Sequence, residues 1–456
     1  MPYKHTTDKF TLMTTAPIPG LVTRLAVPTM ISMLVTAFYN MADTFFVGRI
    51  GTSASAAVGV VFPVMAIIQA CAFFFGHGSG NYISRALGAE NDDSAARMAA
   101  TGFFCALIAG AVLAALGNAF IHPLARLLGS TETILPYAVD YMRIVLIGAP
   151  WMMASLVLNN QLRFQGSAFY GMIGIASGAV LNIALDPLLI FTFHLGIAGA
   201  AWATIISQFV SFCLLLCGTR RGGNLRVRWK NFTPNGTFLK AIANGGMPSL
   251  CRQGLNSVGT ICLNLGAGLY GDAAIAAMSI VGRIVMFANS CVIGFGQGFQ
   301  PVCGFCYGAR KYDRVKAAFR FCVKAATAFL CAAAVIAFAF APQLVAVFRK
   351  GDADVLAVGQ VALRAQCVTF PLSAWIVLCN MMMQTIGKSV RASFLAMARQ
   401  GLFFIPAVLI LPRLFGLVGL QISQAVADVI TFALSIPLQL GVLREMDAEM
   451  PARSAQ

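Results

Sequence analysis

Three carboxylates stand inside long apolar stretches of this chain: Asp43, Asp186 and Asp428. An acid at the centre of a membrane helix costs roughly 2.5–3.5 kcal/mol to insert, so it is kept where it exchanges an ion or pairs with another polar group. Asp43 lies in AFYNMADTFFVGRIG, with Tyr39 one helical turn before it on the same face. Asp186 lies in VLNIALDPLLIF, with Asn182 one turn before it and Pro187 directly after. A proline has no N–H to donate, so it bends a helix and frees a carbonyl oxygen. Carboxylate, amide and freed carbonyl are hard oxygen ligands suited to a proton or Na⁺. The competing reading for each acid is a structural hydrogen bond or ion pair between helices.

Two arginines, Arg252 and Arg283, also lie within apolar stretches and each calls for an anion; an Asp428–Arg283 pair is one way to satisfy both charges. Ser249, Gln253, Asn256 and Thr260 recur at helical spacing and form a polar stripe on an otherwise apolar segment. Such a stripe faces a cavity or a partner helix rather than lipid. Twenty methionines, among them Met381, Met382 and Met383, suit a pliable cavity and serve equally well as core filler. The substrate-cavity candidates are therefore Gln253, Asn256, Arg283 and Met382. Of the 13 cysteines, Cys303 and Cys306 form one CxxC with no second pair, and the four histidines are scattered. A zinc site needs four well-spaced ligands, so the thiols read as small apolar residues. No nucleophile–base pair or metal motif stands in the apolar stretches, which argues against an enzyme.

The elements that position these residues follow from composition. The 456 residues are 59% hydrophobic and only 11% charged, with a mean hydropathy of +0.79. Soluble domains carry about 25% charged residues, so one or several soluble domains, disorder and coiled coil are excluded. A membrane-spanning helix needs about 20 apolar residues. Twelve stretches qualify: 22–46, 54–75, 98–120, 137–158, 167–193, 197–217, 241–265, 274–297, 320–341, 362–383, 393–412 and 417–441. They are too uniformly apolar for barrel strands, which alternate. Most of the 32 basic residues fall in alternate connections, including Arg163, the run from Arg220 to Lys240, the run from Arg310 to Lys324, and Lys388, Arg391 and Arg399. Lys4 and Arg453, near the two ends, fall on the same side. The opposite side holds few, among them Arg49, Arg126, Arg349, Lys350 and Arg413. The positive-inside rule then places both termini in the cytoplasm of a cell (plasma or inner) membrane. The net charge of +16 is a topology signal that meets lipid headgroups, not a nucleic-acid footprint.

Sliding the chain over itself by 220 residues reveals a duplication. Pro28 falls on Pro248, Gly48 and Gly51 on Gly268 and Gly271, and Ala54 and Ala57 on Ala274 and Ala277. Gly76, Gly78 and Gly88 fall on Gly296, Gly298 and Gly308. Helices that approach closely need glycine at such places. The expected organisation is an N-terminal six-helix lobe over 1–217, a basic cytoplasmic linker over 218–240, and a C-terminal six-helix lobe over 241–456. Two lobes of like orientation are related by an axis along the membrane normal, with a cavity between them, as in alternating-access transporters. Asp43 falls on Leu263 and, with one extra residue in the second half, Asn182 and Asp186 fall on Phe403 and Ala407, so the acidic cluster belongs to the first half alone.

The patterns ADTFFVGRIG, GSGNYISRALGAEN and LNIALDPLLIF, with the 12-span layout in two halves, resemble the multidrug and toxic compound extrusion (MATE) family, and within it the DinF-like and MepA-like bacterial branch. The resemblance covers nearly the whole chain. It implies a V-shaped pair of six-helix bundles and a monomeric, cation-coupled antiporter for amphipathic, often cationic compounds. It implies an N-lobe cation site at Asp43, Asn182 and Asp186, able to hold H⁺ or Na⁺, with Tyr39, Asn159 and Thr204 as supporting polar residues. Some members instead use acidic residues in the C-terminal lobe; here the seventh span carries Gln253 and Asn256, and the tenth has no carboxylate, which favours N-lobe coupling. No cofactor beyond the coupling ion is implied. The alternative is a lipid-linked oligosaccharide flippase of the same superfamily, with Arg252 and Arg283 in its favour and the count of only 12 spans against it.

Overall fold

A computed structural model describes residues 4–348 and 352–449; Arg349, Lys350 and Arg453 of the topology argument lie outside the described residues, as do the side chain of Lys4 and the end of the expected C-terminal lobe. Every described element is helical, because in lipid each backbone N–H and C=O must be satisfied within its own segment. The N-terminal half comprises α1 (Lys4–Thr15), α2 (Ile18–Gly48), α3 (Thr52–Gly88), α4 (Asp92–Ala119), α5 (Ile121–Leu127), α6 (Leu135–Phe164), α7 (Ala168–Pro187) and α8 (Gly196–Gly218). The C-terminal half comprises α9 (Gly236–Gly268), α10 (Asp272–Gly308), α11 (Tyr312–Ala339), α12 (Ala341–Phe348), α13 (Ala353–Thr385), α14 (Ser389–Met397), α15 (Phe404–Phe415) and α16 (Leu417–Glu449). One π-turn, Leu188–Thr192, continues α7, and another, Ala398–Leu402, joins α14 to α15 into a single span.

Eleven of the resulting spans are long and apolar enough to cross a membrane. The twelfth, α9, is equally long at 33 residues, and its apolar character is broken by Lys240, Arg252, Gln253 and Asn256. The helices run past the apolar windows expected for them. At 37 residues, α3 and α10 extend about 55 Å, well beyond a hydrocarbon core of about 30 Å. The continuation of α6 to Phe164 moves Arg163 out of the loop where its charge had placed it. It is a buried residue of the last helical turn, donating to the Asn160 side chain at 2.6 Å. The short helices α5 and α12 extend the duplication, since both follow the third span of their half.

One core cluster is built around α3, α6 and α8; a second, around α10, α11 and α13, runs across the junction to take in Leu21, Val22, Leu25, Ile83 and Leu87 of the first half. The repeated alanines Ala54, Ala57, Ala274 and Ala277 are buried in these clusters, while Val112, Val180 and Val335 remain exposed and meet lipid tails. The lobes join where α3 crosses α9 and α10 crosses α2. A Cβ on Gly78 would overlap the Ile242 carbonyl, one on Gly246 the Phe74 carbonyl, and one on Gly298 the Ala26 backbone. The glycines at 78 and 298 recur in the sequence because each lobe presents the same flat helix face to the other. The first and last described helices, α1 and α16, meet this joined end. Lys311 and Arg314 donate to the carbonyls of Thr14 and Ala16, and Tyr312 donates to Glu449 at 2.9 Å. The linker is pinned rather than free: Trp229 and Phe232 pack edge-to-face against Phe104, and the Leu225 N–H donates to Gln165 Oε1 at 2.7 Å. Its last residues, from Gly236, already belong to α9.

Candidate functional site

In the N-terminal lobe, α2, α6, α7 and α8 converge on one polar cluster within the membrane. Asn182 and Asp186 face inward from the same side of α7, both essentially inaccessible. With its amide oriented to satisfy both neighbours, Asn182 donates to Asp186 Oδ2 at 3.0 Å and accepts from the Thr204 backbone N–H of α8 at 3.2 Å. Thr204 Oγ1 donates to the Ala200 carbonyl at 3.0 Å, and the Tyr39 hydroxyl of α2 hydrogen-bonds to the Thr204 side chain. Asp43, one turn above Tyr39, lies within electrostatic reach of Asp186. Each carboxylate leaves its Oδ1 buried with no hydrogen-bond partner, and among the described residues neither acid has a basic partner.

Pro187 marks a change of helix type. The α-helix ends on it, and the chain continues as the π-turn, closed by Phe193 N–H donating to the Leu188 carbonyl at 2.9 Å. Asn159 is not brought to this cluster. It faces Gly171, about 16 Å along α7 from Asn182 at 1.5 Å per residue, because α6 continues as a helix past it. The structure adds a residue that the sequence did not single out. Tyr141 of α6 is buried at 2% exposure, within electrostatic reach of Asp43, Tyr39 and Asp186. An aromatic residue in an apolar span carries no signal of such a position.

The C-terminal lobe holds a separate cavity of about 760 Å³, lined by Arg252, Gln253, Asn256 and Arg283 among others. Met382 does not line it; it is fully buried and packs on Gln439, whose amide lies 3.1 Å from its sulfur. The polar stripe of α9 divides between two duties. Ser249 is a junction residue, 2.9 Å from His77 Nδ1 and 2.8 Å from Gln384 Nε2, whereas Gln253, Asn256 and Thr260 face the cavity. Asp428 pairs with Arg399 instead of Arg283. Arg399 Nε donates to Asp428 Oδ1 at 2.9 Å, and its terminal nitrogen donates to Ser373 Oγ at 3.0 Å. Arg399, assigned by its charge to a cytoplasmic connection, thus lies inside the eleventh span on the π-turn. The signal for it was present, since its flanks LAMA and QGLFF are apolar. Cys303 and Cys306 are buried in α10, with Cys306 3.6 Å from the Met13 carbonyl of α1.

Comparison with known proteins agrees with this geometry. The MatE family profile matches residues 28–188 and 248–409, once in each half of the chain. The multidrug export protein MepA of Staphylococcus saprophyticus is 28% identical over 92% of this chain and 93% of its own length. MepA of Staphylococcus aureus strain MSSA476 is 27% identical over 94% and 95%. A MATE crystallised in complex with MaL6 superposes with a TM-score of 0.91 at 27% identity, covering 96% of this chain and 99% of that one. A multidrug resistance MATE family transporter of the MOP superfamily, in an outward-facing conformation, superposes at 0.89 with 27% identity, covering 95% and 99%. The duplicated six-helix lobes, the acidic cluster confined to the first of them and these similarities together make the chain a member of the MATE family.

Proposed function

We propose that the protein is a cation-coupled antiporter that exports amphipathic small molecules across the cell membrane by alternating access, with both termini in the cytoplasm. The observation that carries this reading is the pair of carboxylates in the N-terminal lobe, Asp186 buried and Asp43 half-buried, each with one buried, unpartnered oxygen and neither with a basic partner among the described residues. Two anions in so apolar a setting are tolerated when protons or a cation neutralise them. Asp43, Asp186 and Asn182 supply the oxygens for H⁺ or Na⁺; Thr204 fixes the amide, and Tyr39 ties α2 to α8. Because the cluster spans α2, α7 and α8, its charge state bears directly on how these helices pack. Cation binding and substrate release are then linked by one coupling free energy that acts in both directions. The relatives named as multidrug exporters support the same reading. The protein acts as a monomer in this scheme, with the small-molecule cargo and membrane lipid as its partners and no cofactor beyond the coupling ion.

The test is dye or drug efflux from proteoliposomes under a pH gradient alone and then a Na⁺ gradient alone. Asp43→Asn and Asp186→Asn are each expected to cut gradient-driven efflux by about tenfold or more, as for loss of about 1.4 kcal/mol of coupling. Wild-type rates in both variants would remove the acidic cluster from the mechanism.

A further inference from the structure

We propose that the cavity of the C-terminal lobe receives the acidic head of an amphipathic organic anion, a carboxylate or sulfonate on an apolar body, with Arg252 and Arg283 as its ion-pairing residues. This deepens the exporter reading, on which it depends for transport though not for binding.

The ionisable residues lining the cavity are three arginines, Arg252, Arg283 and Arg399, and one acid, Asp428. Arg399 and Asp428 neutralise each other through the 2.9 Å pair, with Gln424 donating to the same carboxylate oxygen at 3.1 Å. Two guanidinium groups remain, and among the described residues neither has a carboxylate within ion-pairing distance. A guanidinium stays charged under all ordinary conditions and offers a planar fork of donors that matches a carboxylate or sulfonate. Arg252 is half-buried, where a cation without an anion is costly, and Arg283 is exposed on the cavity wall; a ligand that brings the anion relieves the first and pairs with the second.

The carboxylates that could have served as counter-ions, Asp43 and Asp186, lie in the other lobe on α2 and α7 and do not line the cavity. The acidic cluster of one lobe and the cavity of the other therefore carry uncompensated charges of opposite sign. The rest of the wall suits an amphipathic body: Phe370, Phe404 and Ile376 are apolar, and Gln253 and Asn256 add uncharged donors. The volume of about 760 Å³ falls in the range of about 300–1,000 Å³ typical of small-molecule pockets. The family resemblance alone implies an often cationic cargo. Against this wall a cation would meet two like charges and no free carboxylate.

The discriminating measurement uses two xanthene dyes of similar size and opposite charge, anionic fluorescein and cationic rhodamine 6G. Their binding to the purified full-length protein is followed by fluorescence anisotropy near neutral pH. Fluorescein is expected to bind at least about tenfold more tightly than rhodamine 6G. Arg252→Gln and Arg283→Gln are each expected to weaken fluorescein by about tenfold and to spare or improve rhodamine 6G. Arg283→Lys, which keeps the charge, should retain most of the binding, so a loss in Arg283→Gln is not a loss of fold. Equal or tighter binding of rhodamine 6G to the wild-type protein overturns the proposal, as does fluorescein binding indifferent to both substitutions. The same dyes in gradient-loaded proteoliposomes separate the two readings. Fluorescein bound in an arginine-dependent way and not moved leaves the anion site standing and removes the exporter. Rhodamine 6G moved by the gradient, with fluorescein neither bound nor moved, leaves the exporter and removes the anion site.

Discussion

Buried charge in this molecule falls into two kinds, and the distinction lies with individual residues. Arg399 and Asp428 are both largely buried, with side chains 14% and 5% exposed, and they satisfy each other. Removing one member of a buried pair leaves the other without a partner, at about 3–5 kcal/mol, whereas replacing both by apolar residues is close to neutral. Arg399→Ala is therefore expected to lower the thermal midpoint in detergent markedly, and Arg399→Leu combined with Asp428→Leu to recover most of it. A double variant no better than the single one would show that the pair does more than neutralise. Asp43, Asp186 and the half-buried Arg252 are of the other kind; Arg283, also without an acid among the described residues, is exposed on the cavity wall. Their types and settings were legible in the sequence, because a charged residue inside an apolar run is visible without a fold. Their partners were not legible: the sequence allows an Asp428–Arg283 pair, and the π-turn at Ala398–Leu402 brings Arg399 to Asp428 instead.

At the scale of elements, prolines and glycines decide where helices bend and touch. Pro187 closes α7 before one π-turn, and Pro406, in the first turn of α15, follows the other. Proline is tolerated in a first helical turn, where its missing N–H costs nothing, and it crowds the carbonyl four residues before it, so the preceding turn widens. Reading Pro406 in this way would have put Arg399 inside a broken span. Outside the spans, α1 is held by Lys9, whose ammonium donates to Ser167 Oγ at 2.8 Å and Asn224 Oδ1 at 2.5 Å. Burial lowers the Lys9 amine from 10.5 to about 8. Below about pH 8 both the folded and unfolded forms carry the charge, and the full cost of burying it is present. Between 8 and 10.5 the unfolded chain holds the extra proton, so the attachment of α1 strengthens as pH rises through that window. Acylation of Lys9, followed by mass spectrometry as a function of pH, should show a midpoint near 8; a midpoint near 10.5 would show that the amine is free in water.

For the whole molecule, the question is how the two lobes part. Their contacts run from the end where α1 and α16 meet α11 to Phe38–Phe287 and the bond from Gln253 Nε2 to Gln69 Oε1 at 3.2 Å. If export requires this junction to open, tethering it must stop transport. In a background without the native cysteines, Gln69→Cys with Gln253→Cys, joined by a short bifunctional thiol reagent, is expected to abolish efflux. A cleavable linker should restore it on reduction. Undiminished efflux in the tethered protein would mean that the lobes need not part at these helices.

The duplication made the two lobes legible in advance, because the repeated glycines mark surfaces where one helix backbone meets another. Hydropathy set the solvent and the number of spans, since a chain with 11% charge has to meet lipid. The absence of an acid at Leu263, Phe403 and Ala407 confined the carboxylates to one half. These properties are local or periodic, and a sequence carries such information directly. Tertiary structure decided the rest. It drew Tyr141 toward the acids from α6, left Asn159 beside Gly171, turned Met382 away from the cavity, and paired Arg399 with Asp428 while leaving Arg252 and Arg283 without an acid. Each outcome depends on the rotation and bend of a helix relative to its neighbours. Packing between helices fixes that geometry, and a single chain read residue by residue does not contain it.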